Sequence, residues 1–174
     1  MISIIYVFWM YVILFAVIGM LRGWAKELLV SFSVVVALTL NFLLREFAPV
    51  VKTLDGHDVS LFWIREIVLL ALIYFGYQTV ISVARLQAGA RRERLQDSLF
   101  GLVLGAANGY LIAGTTWFYL HAARYPFEKI FVVPQDVFNK LETMMTYMPP
   151  FVLGEPGIYF ASVIVLIFIL VVYV

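Results

Sequence analysis

Cysteine is absent from the 174-residue chain, which excludes a disulfide framework, a thiolate nucleophile and any cysteine-based metal site. Charge is scarce as well: Asp, Glu, Lys and Arg make up 13% of residues, where soluble domains carry about 25%. The few charges nearly cancel, to a net +1, so no basic excess exists to hold nucleic acid. Histidine occurs only at positions 57 and 121. A cationic n-region is also missing ahead of the first apolar run, and that run is too long for a signal-peptide core. It is expected to stay in place as a first span. What fills the chain is apolar side chain, 64% of residues, with a mean hydropathy of +0.99. This is the composition of a membrane protein.

Residues 2–21 are uncharged and close to the ~20 needed to cross a ~30 Å hydrocarbon core. After "RGWAKE" a second uncharged run covers 28–44, with Trp24 and Ala25 leading into it, so the first two spans form a tight antiparallel hairpin. Residues 45–61 contain charges, a proline and the turn-like "DGHD", and read as the first exposed loop. A third span runs from about 62 or 67 to 84, and a fourth over 98–120. The apolar run at 157–174 has 18 residues, about 27 Å of helix and just enough to span. Between the last two, "PQDVFNKLETMMTYM" puts Val137, Phe138, Leu141, Met144, Met145 and Met148 at helical spacing, with Pro134 and Asp136 suited to a helix start. The expectation is an all-α polytopic membrane bundle of four core transmembrane helices plus a fifth C-terminal span. An amphipathic interfacial helix is expected over about 134–148. The four-helix core and this helix make up 1–148, and a connector with the additional span makes up 149–174.

Lys and Arg in short loops mark the cytoplasmic side. Arg22 and Lys26 follow span one, and Arg85, Arg91, Arg92 and Arg94 follow span three. The predicted topology has the N-terminus outside and the loops at 22–27 and 85–97 in the cytoplasm.

The middle of each of these spans carries no charge, which argues against an ion-coupled carrier acting as a monomer. Uncharged polar residues remain, among them Asn41 in span two, Gln78 in span three and Asn108 in span four. They are expected to hydrogen-bond between helices more than to line a route. His57 with Asp55 and Asp58 holds metal-ligand atoms, but "DGHD" reads more simply as a turn. No Ser/His/Asp set, phosphate-cradling loop or base-stacking face can be assembled. No enzyme, cofactor or resident metal is expected, and no nucleic-acid partner.

Two stretches are informative. In "RGWAKE", Arg22 and Lys26 lie four apart and Glu27 follows, so they can pair locally or cap helix ends. In "QDSLFGLVLGAANG", Asp97, Gly101, Gly105 and Gly109 recur every four residues. That period puts the glycines on one stripe, a groove into which another helix backbone can press. Asp97 would lie at its inner mouth, where Arg22 or Lys26 is an expected partner.

Together these stretches resemble the colicin V production protein (CvpA) family of bacterial inner-membrane proteins. The resemblance covers residues 1 to about 148 and rests on Arg22, Gly23, Lys26, Glu27, Asp97, Gly101, Gly105 and Gly109. Departures fall at Ile5, Ser98, Leu104 and Asn108, where the family tends to be acidic, basic, aromatic and basic. The resemblance implies a multi-pass protein with a role in envelope homeostasis or in export and transport, including secretion of a peptide toxin. It brings no catalytic residue. With Asn108 at a usually basic position, the groove is expected to serve packing rather than passage. The alternative is an accessory subunit of a larger membrane complex, docking through the glycine face and the fifth span. Expected partners are the lipid bilayer and either further copies of the chain or other membrane proteins.

Overall fold

A computed structural model describes residues 4–54, 59–78, 94–127 and 135–173. The described residues are helical, with no strand among them. In chain order the helices are α1 (Ile4–Arg22), α2 (Trp24–Phe47), the single turn α3 (Pro49–Lys52), α4 (Val59–Gln78), α5 (Arg94–Ala122), α6 (Gln135–Met145), the single turn α7 (Pro149–Val152) and α8 (Gly157–Tyr173).

Four of them, α1, α2, α4 and α5, are long and apolar enough to cross a membrane. Large apolar side chains such as Tyr6, Ile13, Ile67, Phe75, Phe100 and Val103 stand exposed along them. On a water-soluble protein such surfaces would aggregate, and in a bilayer they meet lipid. The fifth apolar run forms only a short helix: α8 has 17 residues, about 25 Å at 1.5 Å per residue, against a core of ~30 Å. It buries Ile158 and Val165 and exposes Tyr159, Phe160, Ile164 and Leu166.

The third span starts earlier than its apolarity suggested. Helix α4 begins at Val59, so Arg65 and Glu66 lie on its second and third turns, inside the span. The basic run at 85–93, Thr79 and Ser82, and the His57, Asp55 and Asp58 cluster lie outside the described residues.

The chain packs as two units, Met1–Val34 with Ala71–Gly114 and Val35–Leu70 with Thr115–Val174. Helices α2, α4 and α5 contribute to both. The first unit is centred on Phe8, Ala25, Val30, Val34, Ile73 and Ile112. The second buries Leu38, Leu61, Leu69, Trp117, Leu141 and Met145, among others. In the second unit the apolar face of the amphipathic helix α6 closes on the end of α5: Phe138 stacks on His121 at 4.3 Å and 18°. Prolines 149 and 150 do end that amphipathic stretch, and they open α7, where a missing N–H costs nothing.

Beyond α5 the backbone takes two left-handed residues in succession, Arg124 and Tyr125. The turn brings the Tyr125 hydroxyl to Trp117 Nε1, which donates to it at 3.0 Å, and within 3.2 Å of His121 Nδ1. Burial raises the Tyr125 phenol above its usual pKa.

Candidate functional site

A single residue, Gly23, joins α1 to α2. Its φ of +87° lies where only glycine is unstrained. Its N–H donates to Gly19 O at 2.9 Å, closing α1 with a left-handed C-cap, and its own carbonyl accepts from Glu27 N at 3.3 Å, opening α2. Glycine in both roles leaves the first turn of α2 without a capping side chain. Asp97, at the start of α5, supplies it: Oδ1 accepts from Trp24 N at 3.1 Å. The carboxylate sits so close that a Cβ on Gly23 would lie 2.7 Å from Oδ2. The residue needed for the turn is thus also the residue that admits the cap. A carboxylate at a helix N-terminus further gains from the helix dipole.

Asp97 is therefore occupied with α2, and Arg22 finds its partner elsewhere. Arg22 Nη1 lies 2.8 Å from Glu27 Oε1, with side-chain exposures of 23% and 0%. Its Nη2 donates to Tyr77 O at 3.3 Å, on the last turn of α4, and the guanidinium lies 4.2 Å above the Tyr77 ring. The second Glu27 oxygen, Oε2, accepts from Asn108 Nδ2 at 2.8 Å. The same amide donates to Glu27 O at 2.9 Å, and Asn108 Oδ1 accepts from Ser31 Oγ at 2.7 Å. Asn108 is fully buried with both faces of its amide used, which is the condition under which a buried polar network stabilises. Side chains or carbonyls from α1, α2, α4 and α5 meet here. Lys26 is half-buried and belongs to neither ion pair among the described residues.

The glycines hold this arrangement together. Gly101, Gly105 and Gly109 are buried against α1 of the same chain. A Cβ on Gly105 would meet the Phe15 carbonyl oxygen and lie 2.9 Å from Gly19 Cα, and one on Gly109 would lie 2.8 Å from Val12 Cα. The groove is filled by α1, whose inward stripe of Phe8, Val12, Phe15 and Gly19 ends at the Gly23 joint.

The profile of the colicin V production protein family matches residues 5–133, a stretch that takes in α1 to α5 and every residue of this network. The chain belongs to the colicin V production protein family. No curated protein and no solved structure matches it. In this family member the two signature stretches, "RGWAKE" and "QDSLFGLVLGAANG", form one structure: one supplies the joint and the ion pair, the other the cap, the glycine seat and the amide. Among the described residues no three His, Asp or Glu side chains gather as a metal shell.

Of the other polar residues singled out from sequence, Asn41 is buried, its Nδ2 donating to Arg65 O and Tyr119 Oη, each at 3.2 Å. Gln78 is exposed at the end of α4. Two participants carried no expectation from the sequence, Tyr77 here and Glu66 in the other unit; Ser31 is one of the uncharged polar residues of span two expected to bond between helices, and it does so with Asn108. In the structure Glu66 falls in step with the buried residues Phe62, Leu69, Ile73 and Gly76. Because α4 is apolar all round, that buried stripe does not stand out in its sequence. Tyr77 had no signal either, since it enters through its carbonyl and ring.

The cap makes a direct prediction. Replacing Asp97 by Ala should lower stability by about 1 kcal/mol, the usual cost of losing an N-cap, while Asp97→Asn, which keeps an acceptor, should cost less. Thermal unfolding in detergent measures both. Exchanging charges in the double variant Arg22→Asp with Asp97→Lys should bring no recovery, because the two side chains serve different partners; recovery would show direct pairing.

Proposed function

We propose that this colicin V production family protein serves the bacterial inner membrane in envelope homeostasis or export, without an enzymatic step, by moving a solute or supporting a transport machine. The observation that carries the reading is the Arg22–Glu27–Asn108 network. Ionisable groups are costly inside membrane-crossing bundles and generally mark function, and here a fully buried carboxylate on α2 is bonded by Arg22 of α1 and Asn108 of α5, with Arg22 held in turn by the Tyr77 carbonyl of α4. A strain lacking the gene should tolerate osmotic shift poorly and release less of a co-expressed peptide toxin. Arg22→Ala, expressed at the normal level, should fail to restore either property. Full restoration would remove the network from the function.

The topology that goes with this reading has the N-terminus outside and residues 22–27 and 85–97 in the cytoplasm, on the strength of the arginine distribution. The lack of native cysteine makes it simple to test. With a membrane-impermeant maleimide on spheroplasts, Val50→Cys should label at once and Ala90→Cys only after permeabilisation. The opposite pattern would invert the orientation.

Docking to other membrane proteins is the second reading, and it is favoured by α8, a short apolar helix with most of its surface exposed. With α1 seated on the glycines, the surfaces left for partners are α8 and the other exposed apolar faces. A defined complex with unrelated subunits in mild detergent would support it. A discrete homo-oligomer would support a transport route formed between copies.

A further inference from the structure

The second packing unit contains a carboxyl group that the network above does not use. Glu66 is 6% exposed and lies about 10 Å along α4 from Val59, a third of the way through a 20-residue span. One oxygen, Oε1, accepts from Thr116 Oγ1 at 2.8 Å. The other, Oε2, is buried and has no partner. No ion pair among the described residues reaches it. Asn41, also 6% exposed, comes to the same neighbourhood through Tyr119, which it bonds and which interacts electrostatically with Glu66. Its amide nitrogen is spent on the carbonyl of Arg65 and the hydroxyl of Tyr119, and its Oδ1 is likewise buried without a partner. The charged and titratable groups around this pair are Arg65, whose guanidinium lies 5.4 Å from the centre of the Tyr119 ring, Tyr119 itself, and Arg45 within electrostatic range of Arg65.

Two buried acceptors with no donor are an uncompensated arrangement. A positive ligand resolves it. A proton on Glu66 Oε2 neutralises the carboxylate and converts an acceptor into a donor, for which Asn41 Oδ1 is the chemical complement. An alkali ion would instead draw on both oxygens at once. We infer that Glu66 and Asn41 form an intramembrane binding site for one monovalent cation, a proton or an alkali ion, built by α2, α4 and α5. The site shares no residue with the Arg22–Glu27 network and does not depend on the envelope role.

Glu27 provides the internal comparison, since both of its oxygens are bonded. Dicyclohexylcarbodiimide, an apolar reagent, reacts with a protonated carboxyl: the acid proton passes to one reagent nitrogen, the carboxyl oxygen adds to the central carbon, and the acyl group then migrates to nitrogen without loss of any atom. The full-length protein in detergent and sodium-free choline buffer should carry this adduct on Glu66 and not on Glu27, by peptide mapping. Glu66→Gln should abolish it. Slowing of the reaction by sodium or potassium chloride identifies an alkali-ion site, and indifference to both identifies a proton site. Absence of the adduct from Glu66 at acidic and neutral pH overturns the inference. So does equal modification of Glu27, because reactivity would then report general access and not a free oxygen.

Discussion

Arg22→Ala should lower the unfolding free energy in detergent by about 2–3 kcal/mol, and Glu27→Gln added to it should recover most of that loss. The magnitude lies between two limits. A single interhelical hydrogen bond in a membrane protein is worth about 0.6 kcal/mol and at most ~1.7, whereas removing one partner of a buried ion pair costs about 3–5 kcal/mol. The partial exposure of Arg22, at 23%, moves the expected value below the upper range, while the complete burial of Glu27 keeps it above the lower one. Without the guanidinium, a carboxylate with no route to water retains only the Asn108 amide. Glutamine removes the charge and keeps an oxygen for Asn108, which is why it should rescue. The order of the single variants is part of the prediction. Glu27→Leu should be milder than Arg22→Ala, because Arg22 can carry its charge to the surface along its own stem, and Glu27 cannot. If the two cost the same and Glu27→Gln rescues nothing, the pair does not act as a unit.

Gly105→Leu should have the largest effect of any single substitution, separating α1 from α5 and removing the folded protein from mild-detergent extracts. Gly105→Ala should already cost about 1–3 kcal/mol, the usual penalty for overpacking, despite the ~1 kcal/mol that Ala gains over Gly in helix propensity. The penalty prevails because of what the new carbon would meet. Its neighbours are the Phe15 carbonyl oxygen, Gly19 Cα at 2.9 Å and Gly19 N at 3.1 Å, all main-chain atoms that cannot rotate aside, where carbon contacts are comfortable at about 3.5–4.0 Å. Relief requires moving α1 itself. That movement would also disturb the Gly23 joint and the Asp97 cap at its end. Gly157→Ala is the matched control, since its nearest neighbour would be Val152 O at an ordinary 3.5 Å, and it should leave stability unchanged. A protein carrying Gly105→Leu that is extracted and melts like the parent would show that close helix approach at this stripe is dispensable.

Both results bear on how the colicin V production family protein is put together. The charged pair and the glycine seat lie in the same packing unit, and each depends on α1 reaching its place. Breaking the seat should therefore also expose the pair, whereas breaking the pair should leave the seat intact. Extraction in mild detergent with melting curves for the two variants distinguishes this order of dependence.

Composition and local pattern alone determined that the chain lives in a membrane, that four core runs are long enough to cross it, that the first two are joined by a turn too short for anything but a hairpin, and that one helix carries a seat for a neighbour. These are properties of single segments, summed residue by residue against the thickness and polarity of a bilayer. The fifth run, just long enough by sequence, proved to form only a short helix. The partner of the seat, the carboxylate that caps α2 and the amide that holds Glu27 were decided only by the tertiary structure. Trp24 and Asp97 are 73 residues apart and Glu27 and Asn108 are 81 apart, so their meeting depends on how each helix is rotated about its axis. In α4, an almost uniformly apolar helix, nothing in the local pattern records that rotation. Glu66, at the undecided start of the third span in the sequence, proved to lie inside it and to face the core of its unit.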